Sequence, residues 1–309
     1  MLQYQNYNGT FIRSFGEVSS KLDSGFYSVE STSIGPGFKK KNIVNDDLID
    51  IPGTVADDIF KDIEIFMKSS SRYSNYGLTH KRGYLLYGPP GSGKTSLSLM
   101  IAKKFINTCD GVVFYISSAV DLLSTVGLIS TIEPGRPSLY LLEEADEFLN
   151  DSSCLSILDG ELSITSSIFV AMTNYKGNLP PRIANRPGRF DRVVHVACPD
   201  EKIQLEYLTR IESREQSGPV AAKKIVKALS GLPVSMSHLR EAFISHVLMG
   251  FSLKSVRERF EEMCSSRVEN DEDNEDDYDE DNEDDYDDDD DYYRDEHDKT
   301  MEALESLKK

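Results

Sequence analysis

The chain has 309 residues, 39% of them hydrophobic, enough to bury a sizeable core and to make two or three domains. Its net charge of −19 is concentrated: Glu269 to Asp298 holds 21 acidic residues and one basic residue, Arg294, which leaves the rest of the chain at +1. No apolar run approaches the ~18 residues of a membrane span. The near-neutral remainder speaks against direct nucleic-acid binding, which rests on neutralising phosphates.

Residues 1–47 mix aromatics with Gly and Ser and are expected to form an N-terminal appendage of short strands, with "SIGPGFKKKN" (33–42) as a loop marked by its Gly-Pro-Gly. At Leu48 the text changes. Thr54 with Asp57 suits a helix start, and Val55, Ile59, Ile63 and Met67 make a helical stripe. Tyr84 to Tyr87 reads as a buried strand, and Leu97, Ile101 and Phe105 as one face of a helix. Between them, Gly88-Pro89-Pro90-Gly91-Ser92-Gly93-Lys94-Thr95 fits G-x-x-x-x-G-K-[ST] at every fixed position. Such a loop turns backbone N–H groups onto phosphates, with Lys94 reaching the outer ones and the Thr95 hydroxyl on Mg²⁺; Ser96 is expected to bind the nucleotide with the loop.

Further strands are expected at "VVFYIS" (112–117), "SLYLL" (138–142), "SIFVAMT" (167–173) and "VVHVA" (193–197). Their alternation with helices predicts an α/β fold, a parallel sheet covered by helices, over 48–199. "SLYLL" runs straight into Glu143-Glu144-Ala145-Asp146, where a magnesium-side carboxylate and a water-polarising base would sit beside a phosphate loop. Asn174 ends the next strand, and "NRPGRFDR" (185–192) presents Arg186 and Arg189 around a Pro-Gly turn. From Pro199-Asp200 the pattern becomes helical, a small lid domain over 200–268 with helices marked by Leu205, Leu208 and Ile211, by 220–229, by Leu239, Phe243 and Val247 after Ser237, and by Val256, Phe260 and Met263. Residues 269–309 are an acidic low-complexity tail: "DEDNEDDY" occurs at 271–278 and again at 279–286, a composition expected to stay disordered and suited to a basic partner.

Four scattered cysteines (Cys109, Cys154, Cys198, Cys264) show no CxxC or Cys/His spacing and read as reduced thiols. With the polar opening "MLQYQNYNGT", they set the expectation of a soluble chain in the cytoplasm or another intracellular compartment. The five histidines form no ligand spacing.

Taken in order, the phosphate loop, the hhhh-E-E-A-D run, Thr173-Asn174 and R-P-G-R-F-D-R resemble Walker A, Walker B, sensor 1 and the second region of homology of the AAA family of AAA+ ATPases, over roughly Leu48 to Phe260. The short spacing before Walker B and "LSILDGE" after it look most similar to the branch containing the mitochondrial cytochrome bc complex assembly ATPase. The resemblance implies ATP and Mg²⁺ as cofactors, Glu143 and Thr95 on the metal, Glu144 as catalytic base and Asn174 as sensor 1. It also implies Arg186 and Arg189 as arginine fingers on the neighbouring subunit's nucleotide, hence a homo-oligomeric ring, usually hexameric. Tyr76, Gly77 and Leu78 fall where the family packs backbone around adenine. Alignment of "AVDLLSTVGL" (119–128) puts Thr125 where threading members carry a pore aromatic, and Arg240 falls in the sensor 2 region. The implied function is a ring ATPase that remodels an unknown protein client or macromolecular complex; the alternative is a nucleic-acid-associated ATPase of clamp-loader or helicase-loader type. A nucleotide-controlled scaffold and a P-loop kinase fit less well: Glu144 and both arginines suit turnover, and no acceptor-substrate site stands out.

Overall fold

The computed structural model describes residues 3–7, 9–14, 19–32, 35–43, 55–160, 165–184, 186, 188–213 and 220–272. The expected helix start at Thr54, Pro187 of the arginine turn and the acidic run beyond Glu272 lie outside the described residues. Contacts divide the chain into Met1–Glu262 and Met263–Lys309; of the second unit only 263–272 are described, and they are helical.

Strands β1 (Gln3–Tyr7), β2 (Thr10–Ser14), β3 (Gly25–Thr32), β4 (Gly35–Lys41), β5 (Lys81–Tyr87), β6 (Val112–Ile116), β7 (Ser138–Leu142), β8 (Ser167–Thr173) and β9 (Arg192–His195) form one sheet in the order β1-β2-β4-β3-β6-β7-β8-β5-β9. From β3 to β9 across the sheet the pairing is parallel; β1, β2 and β4 pair antiparallel. The helices are α1 (Val55–Lys68), α2 (Ser70–Asn75), α3 (Lys94–Cys109), α4 (Ala119–Ile132), α5 (Ser152–Asp159), α6 (Pro181–Ala184), α7 (Glu201–Glu212), α8 (Val220–Leu229), α9 (Met236–Phe243) and α10 (Leu253–Glu272).

Strands buried on both faces read as near-continuous apolar runs, and β7 and β8, buried at every residue, are apolar but for Ser138, Ser167 and Thr173 at their ends. Their side chains divide by parity. Tyr140 and Leu142 join Phe114, Phe169, Leu122, Val126 and Leu158 on the α4–α5 side. Leu139 and Leu141 join Ile168, Val170, Ile59, Ile63, Ile101 and Phe105 on the α1–α3 side. A third core holds the lid together, with Tyr207, Leu208, Ile225, Leu239, Val256 and Phe260. Local chemistry sets the helix ends: Asp200 accepts from Ile203 N at 2.8 Å to open α7, and the Glu212 carboxylate accepts from Ala221 and Ala222 N to open α8.

Four expectations change. Gly35-Pro36-Gly37 is not a loop but the first part of β4, paired to β3 through Thr32↔Gly35 and Ser31↔Pro36. Pro36 lies beyond Gly37, where pairing with β2 stops, and a proline is tolerated at such an edge. The N-terminal strands extend the main sheet, because β3 pairs in parallel with β6. Helix α9 starts from Ser235, not Ser237: Ser235 and His238 make a reciprocal capping box. Finally, α10 carries on to Glu272, so the acidic run begins as helix.

Candidate nucleotide site

Four elements end at one cleft of about 740 Å³. Strand β5 delivers the loop 88–93, in which Gly88 (φ 155°), Gly91 (φ 76°) and Gly93 (φ 105°) take backbone angles that other residues rarely adopt. A Cβ on Gly88 would meet Val196 O at 2.2 Å, so this position has no room for a side chain. Gly93 caps α3 without a side chain, which leaves the first N–H groups of the helix directed at the loop.

Lys94 lies buried under the loop, its Nζ donating to Gly88 O (2.7 Å), Pro89 O (3.1 Å) and Asn174 Oδ1 (2.8 Å). Burial pulls its ammonium below the usual lysine range, while the charges of Glu143 and Cys198 oppose that shift. Strands β7 and β8 thus bring Glu143 and Asn174 to the phosphate loop from either side of one register. Thr95 Oγ1 donates to Glu143 Oε1 at 2.8 Å, so the two residues expected at the metal already touch. Glu144 follows in the left-handed region (φ 48°, ψ 47°), a conformation costing a non-glycine residue roughly 1–2 kcal/mol. That turn leaves Glu144 exposed at the rim of the same cleft. Pro90, Ser92 and Ser96 border it too.

Two buried polar atoms here have no hydrogen-bond partner among the described residues, Ser92 Oγ and Glu143 Oε2. A buried hydroxyl within the phosphate loop and a carboxylate oxygen beside the Thr95 hydroxyl fit a nucleotide phosphate and a divalent cation. Among the described residues no group of three His, Cys, Asp or Glu side chains could hold a metal ion. The residues placed to hold Mg²⁺ would be Thr95 and Glu143.

The structure does not bring every expected residue to the cleft. Tyr76, Gly77 and Leu78 are in the turn after α2, Tyr76 and Leu78 exposed at 76% and 61%, and none borders the cleft. The chain returns to β5 only through His80, whose ring stacks on Phe66 and bonds Phe66 O, so this turn is held off at the far end of α2. The apolar end of the cleft is built instead by Val55 and Ala56 of α1, Ile203 and Tyr207 of α7, and Met236 of α9. Arg240 borders it as well.

Arg186 and Arg189 do not border the cleft of their own chain, and they differ from each other. Arg189 is 5% exposed and gives Nε and Nη2 to the two carboxylate oxygens of Asp159 (2.8 and 2.7 Å) and Nη1 to Arg182 O (2.9 Å). That fork holds the Asp159 carboxyl below its usual range. Within the single chain Arg189 is thus engaged with Asp159 and Arg182. Arg186 is 57% exposed, 3.6 Å from Asp159. Thr125 is corrected too: α4 runs unbroken through it and buries it completely, so it cannot face a pore; Val120 is the exposed apolar residue of that helix.

A strand–phosphate loop–helix unit with paired acids and an amide at adjoining strand tips defines a P-loop nucleotide-binding domain. Residues 84–198 match the family described as "ATPase family associated with various cellular activities (AAA)", so this stretch is an AAA-family ATPase domain. Curated relatives include the ATPase family gene 2 protein of Saccharomyces cerevisiae, 29% identical over 177 residues, 50% of this chain and 22% of that protein. The ATP-dependent zinc metalloprotease FtsH 2 of Thermoanaerobacter sp. is 27% identical over 285 residues, 82% of this chain and 53% of that protein. The proteasome-activating nucleotidase of Methanococcus vannielii is 29% identical over 171 residues, 48% of this chain and 41% of that protein. The chain therefore spans about half or less of each relative's length. AAA ATPases use ATP with Mg²⁺. Among the described residues no helix is long and apolar enough to cross a membrane.

Proposed function

We propose that this chain binds and hydrolyses ATP, works as a homo-oligomeric ring, hexameric by family habit, and remodels a protein or a macromolecular complex. The observation that carries the reading is the joined cluster Lys94–Asn174 and Thr95–Glu143, with Glu144 turned out beside it. In this reading the loop amides and Lys94 bind and orient the phosphates, Asn174 fixes Lys94, and Glu144 takes a proton from the attacking water. Bound Mg²⁺ supplies charge neutralisation on the transferred phosphoryl group. Arg186 is the arginine offered to a neighbouring subunit, and Asp159 steadies it.

A protein client is supported by the printed names of relatives, a metalloprotease and a proteasome-activating nucleotidase. Placement in the branch of the cytochrome bc complex assembly ATPase rests on the short spacing before Glu143, on "LSILDGE" and on the arginine motif. The −20 acidic stretch suits a basic partner, and the thiols suit an intracellular, reducing compartment.

The test separates binding from chemistry. Lys94→Ala should abolish Mg·ATP binding in calorimetry. Glu144→Gln should bind with wild-type affinity and lose about 10²–10⁴ in turnover. Normal turnover in Glu144→Gln, or unchanged affinity in Lys94→Ala, would overturn the reading.

A further inference from the structure

The arginine turn is docked on the strand that carries the phosphate loop. Arg189 N donates to Arg186 O at 3.3 Å, and Gly188 takes φ 95°, the angle glycine supplies at the third position of a tight turn. Alongside, Gly83 of β5 donates its N–H to Asp191 Oδ2 at 2.9 Å, and Asp191 N donates to Gly83 O at 2.9 Å. A Cβ on Gly83 would stand 2.0 Å from Arg189 O, so strand and turn approach more closely than a side chain permits. At the start of β5, the half-buried Lys81 gives Nζ to Gly188 O at 2.6 Å. Burial pulls this ammonium below the usual lysine range, against the charges of Asp191 and Asp159. Lys81 does not border the cleft of its own chain. Arg186, by contrast, reaches outward from the same turn, exposed and 3.6 Å from Asp159. A guanidinium held so loosely is aimed only as well as the backbone beneath it is fixed.

We propose that Lys81 is a positioning residue for ATP hydrolysis in the neighbouring subunit: by fixing Gly188 it holds the turn from which Arg186 reaches the next nucleotide. The inference rests on the reading of Arg186 given above. Lys81 touches no reacting group of its own cleft and acts only through the turn. Strand β5 begins at Lys81 and runs into Gly88, so the loop that grips one nucleotide and the turn that serves the next are anchored at two ends of one strand. Loss of the Nζ donor frees the turn at Gly188 and leaves the Gly83–Asp191 pair as its remaining tie to β5. The phosphate loop of the same chain keeps all its own contacts, since Lys94 is held by Gly88, Pro89 and Asn174.

The experiment uses the full chain and Lys81→Met, which keeps the apolar stem and removes the donor. Its kcat should fall about 10²-fold, the cost of misplacing a catalytic group by about 1 Å, while Mg·ATP affinity in calorimetry stays that of wild type. Mixing Lys81→Met with Lys94→Ala should return turnover above the sum of the two alone, because an intact turn on one subunit then serves an intact phosphate loop on the next. Mixing it with the double variant Lys81→Met, Lys94→Ala should return none. A role of Lys81 confined to its own strand would leave both mixtures equally inactive. Wild-type kcat in Lys81→Met, a loss of its Mg·ATP affinity, or a dead mixture with Lys94→Ala where Arg186→Ala is rescued by Lys94→Ala, would overturn the proposal alone. Wild-type turnover in Arg186→Ala, or no rescue of Arg186→Ala in proven mixed oligomers, would overturn the reading of Arg186, and this inference with it.

Discussion

Replacing Arg189 by alanine distinguishes a brace from a reagent. The side chain is 5% exposed and makes three hydrogen bonds, two of them to one carboxylate. Removing one member of a buried ion pair costs about 3–5 kcal/mol, because the other charge is left uncompensated. Asp159 is 24% exposed on its side chain, so water recovers part of that loss; about 2–4 kcal/mol is expected. At about 2–4 °C per kcal/mol for a folded region of this size, Tm should fall by roughly 5–15 °C. The pH arm has a definite sign. Arg189 holds the folded Asp159 carboxyl below its unfolded value of about 3.9, so this contribution is complete above that pH and is lost as pH falls through the folded value. The gap between wild type and Arg189→Ala should therefore shrink on acidification below about pH 4. Calorimetric melts without nucleotide measure both. A variant melting within about 2 °C of wild type but lacking turnover would refute the brace and return Arg189 to the subunit interface.

Arg186→Ala should melt close to wild type, since an exposed pair is worth at most about 1 kcal/mol, and lose about 10³–10⁵ in turnover if it acts across subunits; mixing it with Lys94→Ala should restore some activity, and a dead mixture in proven mixed oligomers would refute that role. Thr125→Val removes, at equal shape, a buried hydroxyl without a partner among the described residues, so chemical denaturation should show a neutral to stabilising change of up to about 1–2 kcal/mol, and a clear loss would reveal a bond to that hydroxyl. His80 is stacked on Phe66, and burial pulls its imidazole below the ordinary range. Its share of stability is complete above about pH 6.5 and lost as pH falls through the folded value. Urea midpoints between pH 7.5 and 5 should fall more steeply for wild type than for His80→Gln, and parallel slopes would refute the argument.

The site's centre was legible because its chemistry is local in sequence. The glycine spacing of 88–95 and the apolar run ending in Glu143-Glu144 each specify a backbone shape and a charge position within ten residues. The apolar wall was not, since Val55, Tyr207 and Met236 come from three helices and each reads as ordinary core. Val55 alone carried a hint, as the leading member of a helical stripe that turned out partly exposed. The pairing of Arg189 with Asp159, 30 residues earlier at the end of α5, was not legible, because charge pairing at that separation leaves no pattern to read. β5 begins at Lys81 rather than Tyr84, because Lys81 and Arg82 pair in the sheet while their charged ends turn to Gly188 O and Asp62. The Gly-Pro-Gly of β4 misled for the opposite reason: local turn chemistry was overruled by pairing with β3.

The antiparallel ribbon beyond β6 also guards the molecule against itself. Strand β6, "VVFYI", is uncharged and wholly β-branched or aromatic, the composition that templates strand addition when its edge is bare. Strand β3 occupies that edge, and β4, β2 and β1 continue the sheet beyond it, so that β6 lies inside the sheet and β1 is its outer strand. Without residues 1–43 the nucleotide-binding core would present a row of unpaired amides and carbonyls along β6. Such a core would be prone to self-association through that edge while every group in its cleft stayed in place.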